Sequence, residues 1–203
     1  IRYISNESSG KQGYEIALAL SRLGIKTTLV TGPTNIKFSK EIKVKNVITG
    51  DQMLAEVKKL LPVDIAVCAA AVSDFKPKNF NTTKIKKSSV NAHLLSLEKN
   101  QDILEYLGKN NKNRPKLVVG FSAETESLIK NSKIKLESKF SDLIIANDVS
   151  KKNIGFNVDF NQISIIDKNN KIENIKKNTK SFIARIVAKK IVDKFLINDK
   201  NIN

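Results

Sequence analysis

Short apolar runs alternate with stretches of helical periodicity along nearly the whole chain, and this alternation limits the fold more than any other feature. Strand-length runs separated by helix-length segments favour a mainly parallel sheet with helices packed on its faces. Arg2-Tyr3-Ile4 reads as a strand end that runs into the small-residue turn Ser5-Asn6-Glu7-Ser8-Ser9-Gly10-Lys11-Gln12-Gly13. Ile16, Ala19, Leu20 and Leu23 then recur at i, i+3, i+4, i+7, one face of a helix that Gly24 can cap. Residues 26–30 and 42–49 predict strands, the first closed by Gly32-Pro33. Asp51 is placed to cap a helix carrying Leu54, Val57, Leu60 and Leu61, which Pro62 stops. Residues 64–71 predict a buried strand, and residues 72–91 an irregular stretch long enough to serve as a functional lid. Further on come a strand at 117–121, a lysine-rich helix at 126–140 and a strand at 143–146. A hairpin follows around Asn169-Asn170. In the last helix, over 179–196, Phe182, Ile183, Ile186, Val187 and Ile191 are expected to face the sheet. The expected fold class is therefore α/β: a Rossmann-like three-layer fold with a mainly parallel sheet, plus a C-terminal β-hairpin and helix.

The 203 residues suit one domain over 1–203 with a single sizeable core, and no domain boundary is visible. No apolar run approaches the roughly 20 residues that span a bilayer, and no secretory signal opens the chain. Ile1 as first residue predicts a piece of a longer polypeptide. The single cysteine, Cys68, excludes a disulfide framework and points to a reducing, cytoplasmic setting. It lies in an apolar run, where a free cysteine acts as a small hydrophobe more often than as a nucleophile. His93, the single histidine, has no partner cluster for zinc. The formal charge of +16 invites a nucleic-acid reading. However, the excess is lysine, with only Arg2, Arg22, Arg114 and Arg185 to supply the guanidinium forks that read guanine. A solvated lysine surface is expected, with a local subset binding a polyphosphate, and neither nucleic acid nor membrane is expected as a partner.

Five motifs can carry chemistry. Ser8-Ser9-Gly10-Lys11-Gln12-Gly13 stands between strand and helix, where free N–H groups and the helix dipole favour phosphate. An ordinary helix start is the competing reading. Ala69-Ala70-Ala71-Val72-Ser73-Asp74 follows a buried strand, where open α/β sheets place their ligands. Its small side chains admit a ligand to the backbone, and Asp74 can hold Mg²⁺ beside phosphates; close packing with a capping aspartate is the alternative. Lys84-Ile85-Lys86-Lys87 can close over a triphosphate, although charge runs are more often solvated. In Gly120-Phe121-Ser122-Ala123-Glu124-Thr125, Phe121 can stack on a base, but a core role is the commoner one. Asn147, in Ala146-Asn147-Asp148-Val149, can bond a ligand or cap a turn. Together the motifs indicate a nucleotide or phosphoester site.

In this order, these segments resemble the phosphopantothenate–cysteine ligase family, which in many bacteria is the C-terminal half of a bifunctional protein. The likeness runs from Arg2 to the last helix and includes Thr28-Leu29-Val30-Thr31-Gly32-Pro33, Asn100 to Leu104 and Asp142 to Val149. It implies that 4′-phosphopantothenate and cysteine are joined with CTP as co-substrate, through an acyl-cytidylate, with Mg²⁺ present. FMN is implied only for an upstream decarboxylase domain. The resemblance makes Asn6 and Lys84 the catalytic residues. Ser8, Gly10 and Gly13 are to cradle the triphosphate. Cys68, Ala69, Ala70, Asp74, Lys84, Gln101, Asp102, Ile103, Leu104, Phe121, Lys135 and Lys139 fall on nucleotide-contact positions. Lys135 and Lys139, i and i+4 on one helix, can face one anion. Arg2, Asn6, Ala71 and Asn147 fall on or near substrate positions, and Asp74 is the candidate metal ligand. A homodimer is typical of the family. Two departures stand out. Gln101 replaces the family's proline, and the glycine-rich strand and turn that normally precede Arg2 are not in the sequence. The competing reading is a Rossmann-type nucleotide- or flavin-binding oxidoreductase, disfavoured because no Gly-x-Gly-x-x-Gly fingerprint is present.

Overall fold

The computed structural model describes residues 4–79, 94–109, 112–150 and 158–200. Its centre is a five-stranded sheet in the order β3(Ile65–Cys68), β6(Leu117–Glu124), β7(Leu143–Asp148), β8(Phe160–Asp167), β9(Ile172–Thr179). The β3–β6 and β6–β7 ladders are parallel, and β8 and β9 add an antiparallel hairpin. β1(Thr28–Thr31) and β2(Lys43–Asn46) pair in parallel as a separate two-stranded sheet, and no ladder joins β1 to β3 among the described residues.

Alternation along the buried strands decides the layers. Leu117 and Val119 of β6, Leu143 and Ile145 of β7, and Ile163 and Ile165 of β8 point to one face. There they meet Ile16 and Leu20 of α1(Lys11–Arg22), with Ile183, Val187 and Ile191 of α5(Lys180–Lys200). Val118, Ile144 and Ile166 point the other way, onto Leu104 and Leu107 of α3(Ile103–Gly108) and Leu136 of α4(Leu128–Ser138). This gives the three layers expected. Each such side chain, once fully buried, stabilises the fold by about 1.5–3 kcal/mol, and this period-two segregation keeps the register of the sheet. Gly120 lets α3 lie close on β6, because a Cβ there would fall 2.5 Å from Leu104 Cδ2 and 2.7 Å from Ile144 Cδ1.

Several boundaries differ from expectation for local reasons. α2(Gly50–Leu60) is capped by Thr49, whose hydroxyl accepts from Gln52 N at 3.2 Å. Gln52 Oε1 returns to Thr49 N, completing a capping box, and Asp51 sits in the first turn. Gly24 lies one residue beyond the C-cap, Leu23, at φ 83°, with its N–H on Ser21 O. β3 is half-buried rather than buried. The stretch expected to be irregular opens as β4(Phe75–Pro77), antiparallel to β5(Leu97–Lys99), while residues 80–93 lie outside the described residues. Phe182 faces outward, 39% exposed, beneath the Arg185 guanidinium at 5.6 Å. The hairpin turn falls as expected, with Asn170 at φ 61°. No helix among the described residues is long and apolar enough to cross a membrane.

Candidate active site at the carboxyl edge of the sheet

β3, β6 and β7 run parallel, so their carboxyl ends share one edge of the sheet. The turn before α1 arrives at the same edge. A Cβ built on Gly13 would meet Ala69 Cβ, one residue past β3, at 3.5 Å. Asn6 Nδ2 donates to Val72 O at 3.2 Å. The start of α2 closes a third side, with Gly50 against Val72. Asn6, the Ser8–Gly13 turn and the 69–73 segment are thereby brought together, although they are distant in the chain.

The local chemistry suits an anion. α1 is N-capped by Gly10 in the left-handed region, φ 71°, a residue with no side chain to accept from the first turn. Only an unbranched glycine takes that backbone at no steric cost. Ser8 Oγ accepts from Gly10 N at 3.3 Å and Ser9 Oγ from Lys11 N at 3.4 Å, while Thr34 Oγ1 holds Ser9 O at 2.9 Å. Gln12 and Gly13 follow in the first turn, whose N–H groups have no acceptor within the helix itself. Such an arrangement attracts phosphate or carboxylate.

At the end of β7, Asn147 Oδ1 is buried and has no hydrogen-bond partner among the described residues. Buried polar atoms are rarely left so, and this acceptor lies where the sequence places a substrate contact. The carboxylate of Glu124, across the same edge, accepts from Ser122 Oγ at 2.6 Å and Asn131 Nδ2 at 3.1 Å.

Other expected contacts acquire a different character. Leu104 is a core residue, 6% exposed, and Ile103 packs beside it, so any nucleotide contact there falls to their backbone. Asp102 caps α3 by accepting from Glu105 N at 2.9 Å. Lys139 Nζ lies 3.0 Å from Asp102 and 3.1 Å from Glu105, so it is already paired rather than free beside Lys135. The hydrogen bond to Asp102 holds Lys139 above the ordinary lysine range. Phe121 packs on the sheet face covered by α1 and α5. The Cys68 thiol is pushed up to about 12 by burial, which removes it from nucleophilic chemistry near neutral pH. Ala70 and Asp74 are exposed at the edge and Ala71 is half-buried. No cluster of three histidine, cysteine, aspartate or glutamate side chains occurs among the described residues. Gln101 is exposed beside the α3 cap. Arg2 and the lysine motif at 84–87 lie outside the described residues.

Asn100 had no assigned role in the sequence, yet it anchors the site. Its Nδ2 donates to Ser73 O at 2.8 Å and its N–H to Asp74 O at 2.8 Å. Its place in the Asn100-Gln101-Asp102 motif was the available signal.

The family model for the DNA/pantothenate metabolism flavoprotein C-terminal domain matches residues 1–195. A cysteine/cysteine sulfinic acid decarboxylase from an unidentified prokaryote is 38% identical over 194 residues, 95% of this chain and 54% of that protein. The coenzyme A biosynthesis bifunctional protein CoaBC of Borreliella burgdorferi is 37% identical over 191 residues, 93% of this chain and 47% of its own. The chain thus spans about half the length of these curated relatives. The crystal structure of the C-terminal domain of a CoaBC protein superimposes with a TM-score of 0.78 at 30% identity, covering 98% of this chain and 88% of that one.

Proposed function

Because the chain belongs to the family of the DNA/pantothenate metabolism flavoprotein C-terminal domain, we propose that it is the ligase part of a coenzyme A biosynthesis enzyme. It joins 4′-phosphopantothenate to L-cysteine, with CTP as activating co-substrate. The observation that carries this reading is the meeting of Asn6, the uncapped start of α1 and the 69–73 segment at one sheet edge.

Two displacements make the reaction. A carboxylate oxygen of phosphopantothenate attacks the α-phosphorus of CTP, the bond to pyrophosphate breaks, and an acyl-cytidylate forms. The cysteine amine then attacks the acyl carbon, CMP departs with the C–O electron pair, and the nitrogen gives up a proton. The Gln12 and Gly13 N–H groups and the small residues Ala69 and Ala70 receive the phosphates without reorganisation. Lys84 adds positive charge to the first step. Asn6 bonds the intermediate through an amide that brings no charge of its own, and Asn147 accepts from substrate. Asp74, exposed and in no carboxylate cluster among the described residues, fits Mg²⁺ carried mainly by the triphosphate. Bound there, the metal neutralises charge on the phosphate oxygens.

The chain acts in the cytoplasm as a homodimer. Phe75, Leu94, Leu95 and Leu97, on and beside the β4–β5 ribbon, are 46%, 103%, 61% and 46% exposed. Such a ribbon favours pairing with a second copy. FMN belongs to a decarboxylase domain outside this sequence.

Pyrophosphate release is the test, with 4′-phosphopantothenate, cysteine and Mg²⁺, and CTP compared with ATP. Substrate-dependent release with CTP is expected. Asn6→Asp should accumulate the acyl-cytidylate, and Lys84→Ala should suppress its formation. A folded protein that releases pyrophosphate with neither nucleotide overturns the reading.

A further inference from the structure

Three consecutive carbonyls at the carboxyl edge are each held by an asparagine from elsewhere in the chain. Asn6 Nδ2 donates to Val72 O at 3.2 Å, Asn100 Nδ2 to Ser73 O at 2.8 Å and Asn100 N to Asp74 O at 2.8 Å. Asn100 supplies two of these bonds and is half-buried, whereas Asp74 beside it is exposed. A primary amide suits the task, because it donates to a carbonyl without bringing a charge of its own.

Asn100 stands on a firm base. It follows directly on β5, where Lys99 pairs with Phe75 of β4. Two residues further on, Asp102 caps α3 and binds Lys139 Nζ at 3.0 Å. Leu104 and Leu107 anchor that helix in the core. On its other side the 72–74 segment meets the start of α2. A Cβ on Gly50 would lie 3.0 Å from Val72 Cγ1 and 3.7 Å from Asn100 Nδ2. Asp51, the next residue, binds Lys76 of β4 at 2.6 Å. The backbone between β3 and β4 is thus enclosed between α2 and Asn100, and the Asn100 amide fixes its middle carbonyl.

We propose that Asn100 is a positioning residue for the nucleotide: its side-chain amide sets the 72–74 backbone, and with it Asp74 and the adjoining small residues Ala69–Ala71, at the spacing the phosphates require. The identity of that ligand rests on the ligase reading. One hydrogen bond of this kind adds little to overall stability, whereas a contact segment displaced by about 1 Å costs about a hundred-fold in rate. Stability and nucleotide use should therefore separate.

Asn100→Ala, Asn100→Asp and Gly50→Ala should be compared with the wild-type chain by thermal unfolding and by pyrophosphate release with CTP and Mg²⁺. Asn100→Ala should keep a midpoint near that of the wild type while its KM for CTP rises at least about ten-fold, with the KM for cysteine little changed. Asn100→Asp keeps the shape but sets a carboxylate oxygen against Ser73 O, and should lose more. Gly50 lies outside the left-handed region, so alanine fits its backbone, but Val72 must then give way by a few tenths of an ångström. Gly50→Ala should therefore raise the KM for CTP without lowering the midpoint. A folded Asn100→Ala protein with the wild-type KM for CTP overturns the proposal, as does one whose activity falls only in step with its stability. If neither Asn100 variant folds, Gly50→Ala decides, and an unchanged KM refutes the proposal. Failure of the ligase reading appears separately, as a wild type that releases no pyrophosphate. Calorimetric binding of CTP with Mg²⁺ then decides: weaker binding to Asn100→Ala is expected, and equal binding, or none by the wild type, refutes the role.

Discussion

Gly13→Ala separates packing from ligand approach at the turn before α1. Gly13 lies in the first turn of that helix, its φ is not in the left-handed region, and an added Cβ meets only Ala69 Cβ, at 3.5 Å, an ordinary van der Waals contact. Nothing in the fold requires glycine there. Alanine should therefore stabilise the chain, by up to about 0.5–1 kcal/mol as helix propensities run. For a chain of this size that is a rise of roughly 1–4 °C in the unfolding midpoint. If phosphates approach the backbone between Gly13 and Ala69, the methyl group occupies their space. The loss should then be about 1–3 kcal/mol of binding, or roughly five- to 150-fold in the KM for nucleotide. Gly10→Ala is the control with opposite logic. No atom lies closer than 3.7 Å to its Cβ, but φ 71° strains any L side chain, at about 1–2 kcal/mol of stability. Thermal unfolding and steady-state pyrophosphate release measure both variants. A Gly13→Ala protein with raised stability and wild-type KM would refute the assignment of Gly13 to the phosphate site.

Asn147→Ala should leave stability unchanged or slightly raised, since it removes a buried acceptor without a partner, while amide formation slows at least ten-fold; equal losses of stability and activity would make Asn147 purely structural. Leu95→Lys together with Leu97→Lys should shift the chain from dimer to monomer in light scattering, and an unchanged mass would move the interface elsewhere. Cys68 should resist iodoacetamide at pH 8, because the thiol is held near 12. Since burial raises the folded pKa above the unfolded value, its contribution to stability is complete below about pH 9 and declines towards pH 12. Rapid labelling of the folded protein would contradict this.

Much of the fold was legible because periodicity reports which face of an element is covered. Val118 and Val119 alternate between two helical layers as their strand requires, and the hairpin at Asn169-Asn170 follows from turn chemistry. The errors lay at ends and edges, where one hydrogen bond decides. Thr49 displaced Asp51 as cap because its hydroxyl reaches Gln52 N and Gln52 reaches back. Phe182 turned outward because Ile183, Val187 and Ile191 already complete the buried stripe of α5.

The sequence by itself determined the alternation of strands and helices, the small-residue turn at 8–13 and the kind of chemistry those residues favour, since these depend on neighbours in the chain. Only the tertiary structure decided that Leu104 is core, that Lys139 is bound to Asp102 and Glu105, that Asn100 holds the 73–74 backbone and that the start of α5 is tied through Lys180 O to Gln12 of α1. Burial and charge pairing are set by residues far apart in sequence, and no local pattern records which distant group will arrive.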